Sequence, residues 1–185
     1  MKKLNTTKIF FLAITAITIS SCSNDDNIVN EEELITTVTS TLTGGGQIVT
    51  LTSRDLDGDG PNPPVVTVSG NLAANTNYTG TVTFLNETVS PADNITVEVE
   101  EEGDDHQIFY QAPSNIGTFT YSDADANGKP IGLQFTLLTG NTGSGNITIT
   151  LRHLPNKSAA GVASGDITNA GGATDAIVTY PVVVQ

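Results

Sequence analysis

Alternation of apolar and polar residues recurs along most of the chain, and helical periodicity is rare. Alternation with a period of two is typical of strands that bury one face. Glycine, asparagine, aspartate and proline separate the runs, as expected for turns. The pattern predicts about nine strands, at residues 34–43, 47–53, 65–70, 78–86, 107–112, 115–122, 131–139, 145–154 and 176–184. We therefore predict an all-β fold, a two-sheet β-sandwich that is immunoglobulin-like in general style.

Turn residues predict how several strands connect. The triplet Gly44-Gly-Gly46 predicts a hairpin between the first two strands, and Pro113-Ser114 predicts a second hairpin between 107–112 and 115–122. Residues 155–172 are rich in Ala, Gly, Ser and Asn and predict a long surface loop. Pro181 lacks an amide hydrogen, so we expect the last strand at a sheet edge or beside a bulge.

The stretch 91–105 predicts one short helix. Ser90 is a suitable N-cap, Pro91 suits the first helical position, and the spacing of Ile95 and Val99 fits a helix face. Residues 95–99 also alternate like a strand. The helix is favoured because a strand would place several glutamates side by side on one face.

One unit of sequence occurs twice. Residues 48–60 and 116–128 match at an offset of 68 residues, and each copy is an alternating strand followed by a loop of pattern D-x-D-x-[DN]-G. Two further apolar runs follow each loop. This regularity predicts an internal duplication of a strand, acidic loop, strand and strand unit.

The acidic loops are the main candidate site. Oxygen ligands at positions one, three and five, with glycine at six, let a loop curl around a calcium ion. The predicted ligands are Asp55, Asp57, Asp59, Asp123, Asp125 and Asn127. Position twelve holds Val66 or Gln134 where the EF-hand pattern has a bidentate glutamate, so further ligands are needed. The acidic stretch at residues 100–106 offers Asp104, Asp105 and His106. The alternative is that Asp-Gly and Asn-Gly simply form turns.

Other chemistry has less support in the sequence. His106 and His153 are the two histidines, and together with neighbouring aspartates they suit part of a transition-metal site or ordinary packing roles. The chain has no G-x-S-x-G, H-E-x-x-H or phosphate-loop motif. We therefore do not expect an enzyme, and no catalytic residue is predicted.

The N-terminus predicts export and lipidation. Residues 1–21 combine a basic start with an apolar run too short to span a membrane comfortably, as in a signal peptide. Cys22 is the only cysteine and follows small residues, as in a lipobox, so we expect it to be acylated and to anchor the chain to a membrane. Residues 22–33 predict an acidic flexible tether, and residues 34–185 the β-sandwich domain.

Charge narrows the set of partners. The formal net charge is −13, and removal of residues 1–21 takes away three of the 7 lysines and arginines while leaving all 20 acidic residues. So acidic a surface repels nucleic acid, which we exclude as a partner, and suits solubility or cationic ligands.

The chain also resembles a family of small Bacteroidota lipoproteins of unassigned function. The resemblance rests on the lipobox at Cys22 and on EEELIT (31–36), RDLDGDG (54–60), EEGDDHQ (101–107), DANGKPIGL (125–133) and GDIT (165–168). Members are often labelled type 1 periplasmic binding fold superfamily proteins, a two-lobed α/β fold, whereas the alternation here predicts all-β. The acidic cluster directly after Cys22 resembles the surface-export signal of Bacteroidota lipoproteins, which implies an outer-membrane location exposed at the cell surface more than in the periplasm. The family resemblance implies work beside TonB-dependent receptors. We expect a binding or accessory lipoprotein; the alternative is a calcium-rigidified structural or adhesive surface module.

Overall fold

Two antiparallel sheets form the fold seen in a computed structural model, which describes residues 34–58 and 60–185. These residues belong to one compact unit, Glu32–Gln185. The larger sheet contains β1 (Thr37–Gly44), β2 (Gln47–Arg54), β3 (Val65–Val68), β4 (Asn77–Leu85), β6 (Gly117–Tyr121) and β7 (Gln134–Thr139). The smaller sheet contains β5 (His106–Gln111), β8 (Gly143–His153) and β9 (Ala173–Val184). The predicted two-sheet sandwich of about nine strands is confirmed.

The strand order places the two acidic loops at opposite edges of the larger sheet. That order is β3-β2-β1-β4-β7-β6, and the smaller sheet runs β5-β8-β9. The first acidic loop joins β2 to β3, and the second joins β6 to β7. Both pairs are antiparallel hairpins. Strands lie about 4.8 Å apart, so the loops are separated by roughly 19 Å, or four strand spacings.

Alternation places the core between the sheets. In β4, Tyr78, Val82 and Phe84 are buried as predicted, while the threonines between them are exposed. Gly80 lies on the same inner face, opposite Phe135 of β7. The aromatic ring covers the glycine so closely that a Cβ would overlap it. Local sequence thus decides the buried face, and the register of β4 with β7 decides where one large ring fits.

Backbone hydrogen bonds also join segments that flank the larger sheet to both edge strands of the smaller sheet. On one side the segment after β3 pairs with the end of β9, where Leu72 N donates to Val183 O at 2.8 Å and Gln185 N donates to Leu72 O at 2.8 Å. On the other side Ile108 N donates to Ile131 O at 2.7 Å. These bonds satisfy strand edges that would otherwise be open to pairing with other chains.

The single helix in the described residues, α1 (Ile95–Glu101), is confirmed, but its predicted start is wrong. The helix begins at Ile95 with Asn94 as the N-cap, not after Ser90. Asn86 and Asp93 exchange backbone hydrogen bonds of 2.9 and 3.0 Å, so the chain is still bridged to the end of β4 at Asp93. Ile95 and Val99 are buried on one face, as their spacing predicted. None of the described helices is long and apolar enough to cross a bilayer.

The predicted hairpin between residues 107–112 and 115–122 is wrong. β5 pairs with β8 in the smaller sheet, and β6 pairs with β7 in the larger one. The physical reason is that five of the six residues of β5 are buried, so this strand needs cover on both faces. Residues 112–116 therefore carry the chain from one sheet to the other, with Ile116 N donating to Pro113 O at 2.9 Å.

Residues 155–172, predicted as a long surface loop, also contain short helical turns and buried side chains. They contain two short 3-10 turns, Val162–Ser164 and Ile167–Asn169. Val162 and Ala170 are fully buried against Phe109, which points away from the main core. Gln107 Nε2 donates to Val162 O at 2.8 Å. This segment, which we call the β8–β9 cover, closes the outer face of the smaller sheet.

The repeated unit is only partly repeated in space. Its strand, acidic loop and strand form equivalent hairpins, β2–β3 and β6–β7, at the two edges of one sheet. The third strands differ, because β4 lies in the larger sheet and β8 in the smaller one. Pro181 lies in β9, an edge strand, as predicted.

Candidate functional site

The first acidic loop brings two of its predicted ligands together. Asp57 Oδ2 accepts hydrogen bonds from the side chain of Asn62 at 2.7 Å and from its backbone at 3.3 Å. These bonds, with a smaller contribution from the Asp55 side chain, hold the pKa of Asp57 below its ordinary value. The two carboxyl groups are therefore neighbours. Asp59 lies outside the described residues.

Asp55 is the inner member of this pair. It is half-buried, and its backbone N–H donates to Thr36 O at 2.7 Å. Its Oδ1 atom is shielded from solvent and accepts no hydrogen bond from the described residues. The adjacent Arg54 forms an ion pair with Glu87. A buried carboxylate oxygen without a donor is costly unless something supplies the missing interaction.

In the second loop, Asp123 serves the backbone. Its Oδ1 accepts from Gly132 N at 2.7 Å and its Oδ2 from Gln134 N at 2.8 Å. These bonds attach the loop to the start of β7. A cation at Asp123 would compete with both of them.

Asp125 already has a cation beside it. Its Oδ1 accepts from the backbone of Asn127 and of Lys129, both at 2.9 Å, and its Oδ2 accepts from Lys157 Nζ at 2.9 Å. Lys157 also donates to Gly103 O. Burial alone would raise the pKa of Asp125, but the bonds from Lys157 and Lys129 outweigh it and hold the pKa below its ordinary value. Asn127 contributes to this turn through its backbone.

The three additional predicted ligands, Asp104, Asp105 and His106, have different surroundings and do not form one site. Asp104 lies with Asp123 and Asp125 around a pocket of about 450 Å³ that Glu100 and Glu101 also line. Asp105 is exposed, and its carbonyl accepts from Leu154 N at 2.6 Å. His106 points elsewhere, into the end of the smaller sheet.

A histidine and aspartate cluster forms at that end. His106 and His153 are register partners on β5 and β8, and their rings stack with centroids 4.7 Å apart. Asp175 of β9 completes the cluster, with its Oδ2 3.9 Å from His106 Nε2. One possible donor atom from each of the three residues lies within 4.8 Å of the others.

A register irregularity explains how Asp175 reaches the histidines. Leu151 pairs with Ala176 and Arg152 pairs with Thr174, so Asp175 is an extra residue in β9. Such a bulge re-aims a side chain that strict alternation would place on the other face. The local sequence contains no signal for this bulge, so Asp175 is not predicted as a candidate ligand from the sequence.

One pocket connects the cluster with the first acidic loop. It has a volume of about 490 Å³ and is lined by Asp55 and Gly58 of the loop and by Asp175 and its neighbours in β9. Leu34, the first described residue, also lines it. Two separate carboxylates therefore face the same opening between the sheets.

Comparisons with known proteins add no further assignment. No protein family, no curated protein and no solved structure matches this chain. The class of protein is therefore defined by the fold and the site alone: a β-sandwich with oxygen and nitrogen donors gathered at one end.

Proposed function

We propose that this chain is a lipid-anchored binding module of the outer membrane, with a weak calcium site in its first acidic loop. The observation that carries the proposal is Asp55, whose shielded Oδ1 accepts no hydrogen bond from the described residues. Asp57 lies beside it. A calcium ion would satisfy that oxygen and reduce the repulsion between the two carboxylates.

The contrast between the two loops supports placing the ion in the first. In the second loop backbone amides and Lys157 already satisfy Asp123 and Asp125. In the first loop the neighbouring cation, Arg54, is engaged by Glu87. Calcium in the second loop would have to displace a buried ammonium group, whereas in the first it would add a missing partner.

The first loop provides few ligands, so the site is expected to be weak. Calcium takes six to eight oxygens. Asp55, Asp57 and Asp59 supply carboxylates, Pro61 follows at the position that gives a backbone carbonyl, and Val66 at position twelve supplies nothing. Water would complete the shell. Sites of this kind in extracellular modules have dissociation constants of roughly 10⁻⁴–10⁻³ M.

The location of the protein in the cell is part of the same proposal. Acylation of Cys22 would hold the domain at the membrane through the acidic tether. The resemblance of that tether to a surface-export signal implies the cell surface, and the family resemblance implies a TonB-dependent receptor as partner. Leu34 and Ile35, where the tether ends, line the pocket beside the first loop. A bound ligand would therefore lie near the membrane-tethered end of the domain.

A titration of the full-length lipoprotein with CaCl₂, followed by thermal melting and calorimetry, tests the calcium site. At a free calcium concentration of 100 times the dissociation constant, binding stabilises a protein by about 2.7 kcal/mol. For a domain of this size that corresponds to a rise in Tm of about 5 to 10 °C. Asp55→Asn and Asp57→Asn should abolish the rise, and Asp93→Asn, an exposed control, should leave it unchanged. Melting curves that do not respond to calcium would refute the site.

The alternative function, a calcium-rigidified structural or adhesive module, is separated by its partners. Labelling with an alkyne analogue of palmitate should mark the wild type and not Cys22→Ala. Crosslinking of the labelled protein in native membranes should then recover an outer-membrane receptor if the module assists uptake. Calcium stabilisation without any receptor in the crosslinked product would favour the structural module.

A further inference from the structure

We propose that His106, His153 and Asp175 form a site for a divalent transition-metal ion of the zinc class. The three donors come from three adjacent strands, and the β9 bulge is what turns Asp175 toward the histidines. Two imidazoles and one carboxylate are a donor set that zinc and neighbouring metals accept. Calcium prefers oxygen ligands only, so this site is chemically distinct from the acidic loop.

The position of the donors suits an ion of this size after a small adjustment. Zinc bonds of about 2.0–2.1 Å in a tetrahedral arrangement place donors about 3.3 Å apart. His106 Nε2 and Asp175 Oδ2 are 3.9 Å apart, and all three donors lie within 4.8 Å of one another. The stacked imidazoles, inclined by 16°, would have to tilt so that their nitrogen edges converge. Rotation of the three side chains would have to bring the donor atoms closer together.

The surroundings of His106 orient it as metal-binding histidines are oriented. Its Nδ1 lies 3.1 Å from the backbone carbonyl of Glu102. A carbonyl oxygen can only accept, so Nδ1 carries the proton, and in the neutral ring Nε2 then has the lone pair, on the side of Asp175. A backbone carbonyl on the second ring nitrogen is a common outer partner of a metal-bound histidine.

The site is shielded but accessible. His106 is fully buried and the side chain of Asp175 is 2% exposed, which favours tight electrostatic interaction with a cation. His153 is only half-buried. Asp175 lines the pocket of about 490 Å³, so an ion that enters this pocket would meet one of the three proposed ligands there. The fourth coordination position would be filled by water or by a ligand that enters through this pocket.

The test uses the full chain purified without a polyhistidine tag, because the protein has only 2 histidines of its own. After removal of adventitious metal, ZnCl₂ is titrated in competition with a chromophoric chelator, and CoCl₂ is added separately as a spectroscopic probe. We expect one ion per chain and the visible absorption of low-symmetry Co²⁺ with nitrogen ligands. His153→Ala and Asp175→Asn should each weaken zinc binding at least tenfold, since even outer partners of metal ligands contribute about 10–100-fold.

Two controls keep the result interpretable. Asp93→Asn removes an exposed carboxylate that does not line this pocket and should leave zinc affinity unchanged. Circular dichroism of each variant checks folding, and His153→Gln replaces the half-buried ring if alanine disturbs it. Zinc binding below one ion per chain in the wild type, or binding that survives both His153 variants, overturns the proposal. Loss of thermal stability in Asp175→Asn without zinc binding by the wild type would show a plain His–Asp ion pair instead.

Discussion

Removal of the ammonium group of Lys157 tests how much a buried ion pair contributes to the free energy of unfolding. Lys157 is 6% exposed, and its Nζ is 2.9 Å from Asp125 Oδ2, whose side chain is 2% exposed. Lys157→Met keeps most of the side-chain volume but leaves the carboxylate without its cation. Removing one partner of a buried pair costs about 3–5 kcal/mol, because the remaining charge stays buried. The carbonyl of Gly103 loses its donor as well.

Urea unfolding of the full-length protein, followed by circular dichroism, measures this loss. The matched control is Arg54→Met, which breaks the ion pair with Glu87, where the side chains are 51% and 26% exposed. An exposed pair contributes about 0–1 kcal/mol, so the control should change the free energy of unfolding little. Equal losses in the two variants would refute the reasoning that burial decides the contribution. The double variant Lys157→Met with Asp125→Asn should recover part of the loss.

The pH dependence gives an independent check. Against the effect of burial, the bond from Lys157 helps to hold the pKa of Asp125 below its ordinary value in the folded protein. A group with a lowered folded pKa stabilises the protein above its unfolded pKa, and that contribution is lost as pH falls through the folded value. The difference between wild type and Lys157→Met should therefore be full at pH 6 and shrink below about pH 4. A difference that stays constant down to pH 3 would argue against the ion pair as its cause.

Three further predictions concern the core and the smaller sheet. Gly80→Val should destabilise the protein by about 1–3 kcal/mol, measured by urea unfolding, because the added side chain overlaps the ring of Phe135; no loss would show that the ring can move aside. Phe109→Ala should cost about 3–5 kcal/mol and raise amide hydrogen exchange in residues 155–172 before other regions, since the ring anchors the β8–β9 cover; uniform exchange would contradict this. Burial raises the pKa of Tyr121 to about 12, so this residue stabilises the fold fully below pH 10, and about 3 kcal/mol is lost between pH 10 and 12. Tyr121→Phe should flatten that alkaline loss, and an unchanged slope would count against it.

Alternation in the sequence predicts much of this fold but not which strands pair. Tyr78, Val82 and Phe84 identify the buried face of β4 because their period of two depends only on local backbone geometry. The sequence around Pro113 is compatible with a hairpin and also with a connection between two different sheets, so it does not decide whether the flanking strands pair. What separates them is the need of β5 to cover Phe109 on one face and Tyr110 on the other, a demand set by distant elements.

In the candidate sites, too, the local features could be predicted from the sequence and the long-range contacts could not. The D-x-D-x-[DN]-G pattern predicts two loops that carry carboxylates, because its turn geometry is local. It carries no information about Lys157, which lies 32 residues beyond Asp125 in the chain. Asp175 is equally invisible, since its direction depends on a bulge against β8. The histidines could be named from the sequence, but their pairing requires the register of β5 and β8.

The two copies of the acidic loop show that one sequence pattern can acquire different partners in the fold. Each copy ends a strand with carboxylates, and the segments that follow the two copies in the chain take different paths. The β8–β9 cover brings Lys157 to the second loop. The segment that follows β3 runs instead to β9, where Leu72 pairs with Val183 and Gln185. This difference between the two loops is the physical reason to test the proposed calcium site at Asp55 and Asp57 and not at Asp125.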